Sequence, residues 1–168
     1  MIRKRKLYQR PMKLYQKDRI EEENVLVKRY GLKSKREIWK TLAKINYFRK
    51  RAKDLAKSSG EEQEVFFNYL KSLGLEIKSI ADILDLQIED LLKRRLSSVV
   101  VSKALATTPK QARQMIAHKK IIVGKNVIDA PSYIVPINLE SEIKIKKKNK
   151  IKKEEVNAEK EAPVEVSV

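Results

Sequence analysis

The residues with the most chemistry to offer lie between Thr108 and Lys120. There Lys110, Arg113 and Gln114 fall one helical step apart, and His118, Lys119 and Lys120 follow. Cations and an amide at that spacing form a row of hydrogen-bond donors, suited to holding anionic oxygens. The inventory for breaking bonds is thin by comparison. His118 is the sole histidine, the chain has no cysteine to pair with it, and the neighbouring lysines disfavour its imidazolium. Gly31, Gly60, Gly74 and Gly124 are scattered, so they form neither a phosphate-cradling loop nor a dinucleotide fingerprint. Asp82, Asp85, Glu89 and Asp90 lack the spacing of a calcium loop and are expected on the solvated face of a helix. We therefore expect no enzyme, no metal site and no cofactor.

The elements that must position the donors can be read locally. Thr108 is a good N-cap, Pro109 is pre-set for the first helical position, and Gln111 stands where a capping box wants Glu or Gln. The helix so opened turns Ala112, Met115 and Ile116 inward and Lys110, Arg113 and Gln114 outward. Ahead of it, an apolar face of Leu96, Val99, Val100 and Leu105 predicts a helix of about three turns from Arg95, ending near Thr107. Behind it, Ile121 to Val123 and Val127-Ile128 predict two strands around a tight hairpin at Gly124-Lys125-Asn126. Pro131-Ser132-Tyr133 turns the chain into Ile134-Val135, and a last strand is expected near Ile143 and Ile145.

Upstream, Asp18 with Glu21, Ser34 with Glu37 and Ser59 with Glu62 each have capping-box spacing, and Gly31, the run Ser58-Ser59-Gly60 and Gly74 break the helices between them. In the second helix Ile38, Leu42, Ile45 and Ala52 should face the core, with Trp39 and Phe48 widening the stripe. In the third, Val65, Phe66, Tyr69, Leu70 and Leu73 should do so. Ile80 to Leu92 reads as one or two short helices closing the bundle. The fold class is α+β, mainly α. It comprises a basic extended arm (1–16), a helical domain (17–93), a small module of two helices on a short antiparallel sheet (94–145), and a charged tail (146–168) expected to be disordered.

The 168 residues carry a formal net charge of +17, and 36% of them are charged. Residues 1–60 hold 20 basic and 6 acidic side chains, whereas 61–93 hold 3 and 8. The surplus calls for an anionic partner. Nucleic acid comes first, because neutralising phosphates releases counterions; a membrane surface or an acidic protein comes second. In the arm, Tyr8 and Tyr15 interleave with the cations, which suits stacking on bases or on a partner. No apolar run approaches a membrane span and no signal-peptide core follows the first cations, so a soluble, cytoplasmic protein is expected.

From Arg95 to Val135 the order Arg-Leu, a helical stretch, Leu-Ala-Thr-Thr, Gln-Ala-Arg-Gln-Met-Ile, His, Ile-Ile-Val and Pro-Ser-Tyr-Ile-Val resembles the small RNA-binding domain named after ribosomal protein four of the small subunit. Lys17 to Glu23 and Tyr30 to Trp39 look like the helical portion of that family in its archaeal and eukaryotic form. Many relatives have Ser-Arg in place of Thr108-Pro109 and Val-Asn-Gly in place of Val123-Gly124-Lys125, and the cysteine-bearing N-terminal segment of bacterial members is replaced by the basic arm.

The resemblance implies a structural protein of the small ribosomal subunit that binds its RNA early, at a junction in the 5′ domain, and nucleates assembly. It also implies a ribosome-bound position near where mRNA enters, beside ribosomal protein five, with a bearing on decoding fidelity. It gives no reason for a homo-oligomer or a membrane partner. The runner-up is a biogenesis factor of similar architecture that binds precursor RNA. In the arm, the expected RNA contacts are Arg3, Lys4, Arg5, Lys6, Arg10 and Lys13. On the long helix they are Lys35, Arg36, Arg49, Lys50 and Arg51. In the module they are Arg94, Arg95, Lys103, Lys110, Arg113, Gln114, His118, Lys119, Lys120, Lys125 and Tyr133.

Overall fold

The computed structural model describes residues 6–146; Arg3, Lys4 and Arg5, and the expected disorder of the tail beyond Lys146, lie outside the described residues. The architecture is mainly helical with one small antiparallel sheet. Residues 6–16 contain no helix or strand. Helix α1 (Lys17–Tyr30) starts behind Gln16, and no side chain caps it, so the capping box expected of Asp18 and Glu21 is absent. Asp18 still lies in the first turn, where a carboxylate suits the helix dipole.

Helix α1 ends at Gly31, which adopts the left-handed conformation (φ 59°, ψ 38°) and turns the chain into α2 (Lys35–Leu55). There Ile38, Ile45, Phe48 and Ala52 are buried as expected, but Leu42 is exposed. Ser34 is the N-cap residue of α2 without a side-chain cap bond. Helix α3 (Gly60–Ser72) follows Ser59, again without a side-chain cap, and buries Phe66 and Leu70. Val65 and Tyr69, expected in the core, face outward at 71% and 48% exposure. Their apolar character widened the predicted stripe beyond the face that α2 covers.

The acidic stretch folds as α4 (Ile80–Asp85) and α5 (Ile88–Lys93). Two of its carboxylates act at helix starts. Asp82 accepts from the Ser79 and Lys78 backbone N–H groups at 2.9 and 2.8 Å, and Asp90 accepts from Gln87 N–H at 3.0 Å. One core joins α2, α3, α4 and α5 around Ile45, Phe48, Leu70, Ile83 and Leu91; Leu92, beside Leu91, packs instead with Tyr30, Leu32 and Ile38. Consecutive leucines of α5 thus enter two cores.

Helix α6 (Leu96–Ser102) is shorter than the three turns expected. The chain leaves it through Ala104, which holds a positive φ of 55° while Leu105 N–H closes back on Val100 O at 3.1 Å. An alanine in that conformation leaves no mark in the sequence, unlike the glycine usual there. Helix α7 (Pro109–Ala117) packs on α6. Strands β1 (Ile121–Val123), β2 (Asn126–Val127) and β3 (Ile143–Ile145) form an antiparallel sheet in the order β2-β1-β3, with Val123 opposite both Asn126 and Ile143.

The hairpin is one residue tighter than expected. Gly124 and Lys125 alone form the loop, and Gly124 (φ 61°) takes the first central position, as in a type II′ turn. A one-turn helix α8 (Ile137–Glu140), not anticipated, precedes β3. Leu96, Val100, Ala112, Ile116, Ile121, Val123, Val135 and Ile143 form the core of this half.

Candidate nucleic-acid interface

The start of α7 is built as its sequence suggests, with one change of partner. Thr108 Oγ1 accepts from Gln111 N–H at 3.2 Å, while Gln111 Oε1 reaches back to Thr107, accepting from its backbone N–H at 2.9 Å and its hydroxyl at 2.6 Å. The buried side is Ala112 and Ile116. On the opposite side Lys110, Gln114 and His118 are exposed at four-residue spacing, and exposed Lys119 and Lys120 continue the row.

Lys119 holds a positive φ of 56° as the helix closes, with Lys119 N–H on Ile116 O at 2.9 Å and Lys120 N–H on Met115 O at 3.0 Å. A lysine in that conformation costs about 1 kcal/mol relative to the glycine usual there. The surface therefore retains a cation at a position where the backbone alone would prefer none.

Arg113 leaves the row. It turns toward α2 and holds Glu37 in a two-pronged pair, Nη2 to Oε1 at 2.8 Å and Nη1 to Oε2 at 3.2 Å. Arg95, 5% exposed, pairs through Nη2 with the same carboxylate. Glu37 Oε1 also accepts from Lys33 N–H at 3.2 Å. Burial alone would raise the Glu37 pKa, but the hydrogen bonds and charges of Arg113 and Arg95 outweigh it and hold the carboxyl below its ordinary value of 4.5. One carboxylate on α2 thus fastens both the start of α6 and the middle of α7.

Arg94 is also turned inward: Nε donates to Leu73 O at 3.0 Å, Nη2 to Val135 O at 2.9 Å, and Nη1 pairs with Glu140 at 3.0 Å. Lys103 donates to Glu140 O. These four module residues, expected to face RNA, each bond inward to the protein instead, although Arg95 leaves Nε unpartnered. Physically, a guanidinium flanked by helices of two layers finds carbonyls and carboxylates there, and desolvation requires that it does.

Other expected contacts divide similarly. Lys35 pairs with buried Glu23 at 3.3 Å and Arg49 donates to Leu86 O at 2.8 Å, whereas Arg36, Lys50 and Arg51 are exposed. Lys6, Arg10, Lys13 and Lys125 are exposed, and Tyr133 is half-buried.

Glu23 escaped sequence reading as a structural residue. It collects Arg19 at 2.8 Å, Trp39 Nε1 at 2.9 Å and Lys35, and Arg19 in turn donates to Lys13 O and Leu14 O at 2.9 and 3.1 Å, fixing the root of the arm. Its burial would raise its pKa, yet the bonds from Trp39, Arg19 and Lys35 leave it lowered. The only sequence signal was an acid four residues after Arg19.

Residues 94–140 match the S4 domain family. Over 145 residues the chain is 40% identical to the small ribosomal subunit protein uS4 of Methanothermobacter thermautotrophicus, an alignment spanning 83% of this chain and 85% of that protein. The chain belongs to the uS4 family. It is also 42% identical over 151 residues to the uS4 protein of Nanoarchaeum equitans, with 85% and 84% of the two chains covered, and 41% identical over 139 residues to that of Methanococcus aeolicus, with 79% and 78% covered. Within the segment matching the S4 domain lie both α7, with its exposed row, and the inward-turned Arg94 and Arg95. The uS4 match extends well beyond that segment into the helical part, which carries Glu37.

Proposed function

We propose that this chain is a structural constituent of the small ribosomal subunit, binding its RNA through the exposed row of α7 and acting without catalysis. The observation that carries the reading is that row itself: Lys110, Gln114, His118, Lys119 and Lys120 are all exposed on one short, capped helix within the S4-domain segment. Donors at helical spacing on a rigid support suit phosphate and shape recognition of folded RNA. The exposed cations Arg36, Lys50 and Arg51 on α2 and Lys6, Arg10 and Lys13 in the arm extend the positive surface.

The finer reading has two structural units, residues 17–93 and 94–145. They bind a junction of the 5′ domain early in assembly, beside ribosomal protein five, in a ribosome-bound cytoplasmic protein that is not a homo-oligomer.

Two measurements test it. Sucrose-gradient fractionation should find the chain with mature and translating small subunits; confinement to precursor particles would favour a biogenesis factor instead. For the helix, the double variant Lys110→Glu/Lys120→Glu should weaken binding to a 5′-domain transcript and flatten its salt dependence by about two units of log–log slope, about one for each phosphate no longer neutralised. Unchanged affinity and slope would remove α7 from the interface. Both lysines are exposed, so the fold should survive the change.

A further inference from the structure

Lys40 and Lys44 stand one turn apart on α2, and both line two separate clefts. The first cleft, about 550 Å³, lies between α2 and the module, with Arg95, Arg113 and Tyr133 in its wall. The second, about 730 Å³, lies between α2 and the N-terminal segment, with Tyr8 and Tyr47 in its wall. The two lysines form a ridge between openings that each carry aromatic side chains. Tyr8 is held in place by Trp39, ring centroids 6.3 Å apart, and Lys40 lies 6.0 Å from its ring centre.

The electrostatics of the ridge favour an anion. Among the described residues, Lys40 and Lys44 have no carboxylate within ion-pair distance. Glu37, the acid of the first cleft, is already shared by two arginines, and the buried Arg95 keeps Nε without a hydrogen-bond partner. Lys44 is half-buried, and that desolvation lowers its pKa, a penalty that a neighbouring anion would relieve. An acidic peptide would answer the charge but would give the tyrosines on both sides no use.

We propose that the Lys40–Lys44 ridge holds one backbone phosphate of an unpaired RNA strand, and that the two flanking nucleotides turn their bases into the two clefts, over Tyr133 on one side and over Tyr8 and Tyr47 on the other. Every base has a stackable face, so such a site reads whether the strand is unpaired and is indifferent to its sequence. A paired helix cannot splay its bases this way and is held by its backbone alone. The proposal rests on the RNA-binding reading and sharpens it: α7 grips folded RNA, and the ridge takes an unpaired loop or junction strand.

The test titrates the full chain in parallel with labelled hexauridine and with a fully paired RNA duplex at one salt concentration. Tyr47→Leu and Tyr133→Leu should each weaken hexauridine binding about tenfold, as loss of a stacked base does, and leave duplex binding within about twofold. Lys40→Met/Lys44→Met, which keeps the aliphatic stems, should likewise weaken hexauridine more than duplex. Tyr47 is 57% exposed, so its variant remains informative if Tyr133→Leu loosens the module. Photocrosslinking of an iodouridine-substituted hexamer should give adducts at Tyr47, Tyr8 or Tyr133. Equal losses on both probes, no loss on hexauridine, or adducts confined to α7 would overturn the ridge. If the chain binds a small-subunit RNA transcript but not hexauridine, the ridge fails and the function stands; if it binds neither, both fail.

Discussion

Glu37→Gln is expected to lower stability by about 3 kcal/mol, because removing one partner of a buried ionic cluster leaves the others charged and unmatched. Here the others are Arg95, nearly inaccessible, and Arg113, three-quarters covered. In a chain of this size that loss corresponds to a fall in Tm of about 10 °C. Urea unfolding should show a lower midpoint with an unchanged slope. The double variant Glu37→Gln/Arg113→Gln should regain part of the loss, since one stranded charge fewer stays buried. A midpoint unmoved by Glu37→Gln would show that the cluster contributes nothing net.

The pH dependence follows with a definite sign. The folded Glu37 pKa lies below its ordinary 4.5, so its contribution is fully present above that value and is lost as pH falls through the lower, folded one. Glu23, also lowered, acts in the same sense. Stability should therefore fall below about pH 4.5, and less steeply in Glu37→Gln, where one of the contributing carboxylates is gone.

Gly31→Ala should cost about 3 kcal/mol, from two sources. Its φ of 59° disfavours any L side chain by about 1–2 kcal/mol. An added Cβ would also fall 2.8 Å from Pro109 Cβ and 2.9 Å from Pro109 C, and backbone at the start of α7 cannot step aside as a flexible side chain can. Gly60→Ala is the matched control. Nothing lies within 4 Å of its added Cβ, so it should be neutral or stabilising by less than about 1 kcal/mol. A Gly31→Ala variant as stable as Gly60→Ala would mean that α1 and α7 are not closely docked.

Much of the fold was legible because its punctuation is local. Gly31, Thr108-Pro109 and the apolar face of α7 each act on neighbours a few residues away, and the structure places a turn, a helix start and a buried stripe there. What stayed hidden depends on distant partners or on residues that carry no mark. Arg113 has the spacing of an outward residue, but its partner Glu37 lies 76 positions earlier. Ser34 and Glu37 have the form of a capping box, yet that carboxylate takes the Lys33 N–H and two arginines in place of the Ser34 N–H. Ala104 and Lys119 take positive φ without a glycine to announce it. Val65 and Tyr69 are apolar enough to be expected inside, and only the position of α2 shows that nothing covers them.

The inward turn of Arg95 and Arg113 separates two properties that a uniformly exposed basic surface would couple. The lysines of α7 face solvent and are screened by salt, while the arginines on Glu37 are largely shielded from it. Ionic strength and acidity thus become independent controls. Raising salt should weaken the RNA binding proposed for α7 while the protein stays folded, whereas acid below about pH 4.5 should loosen the join between α2 and α7. Under the proposed binding mode, the contacts that salt would release are not the ones that maintain the shape of the chain.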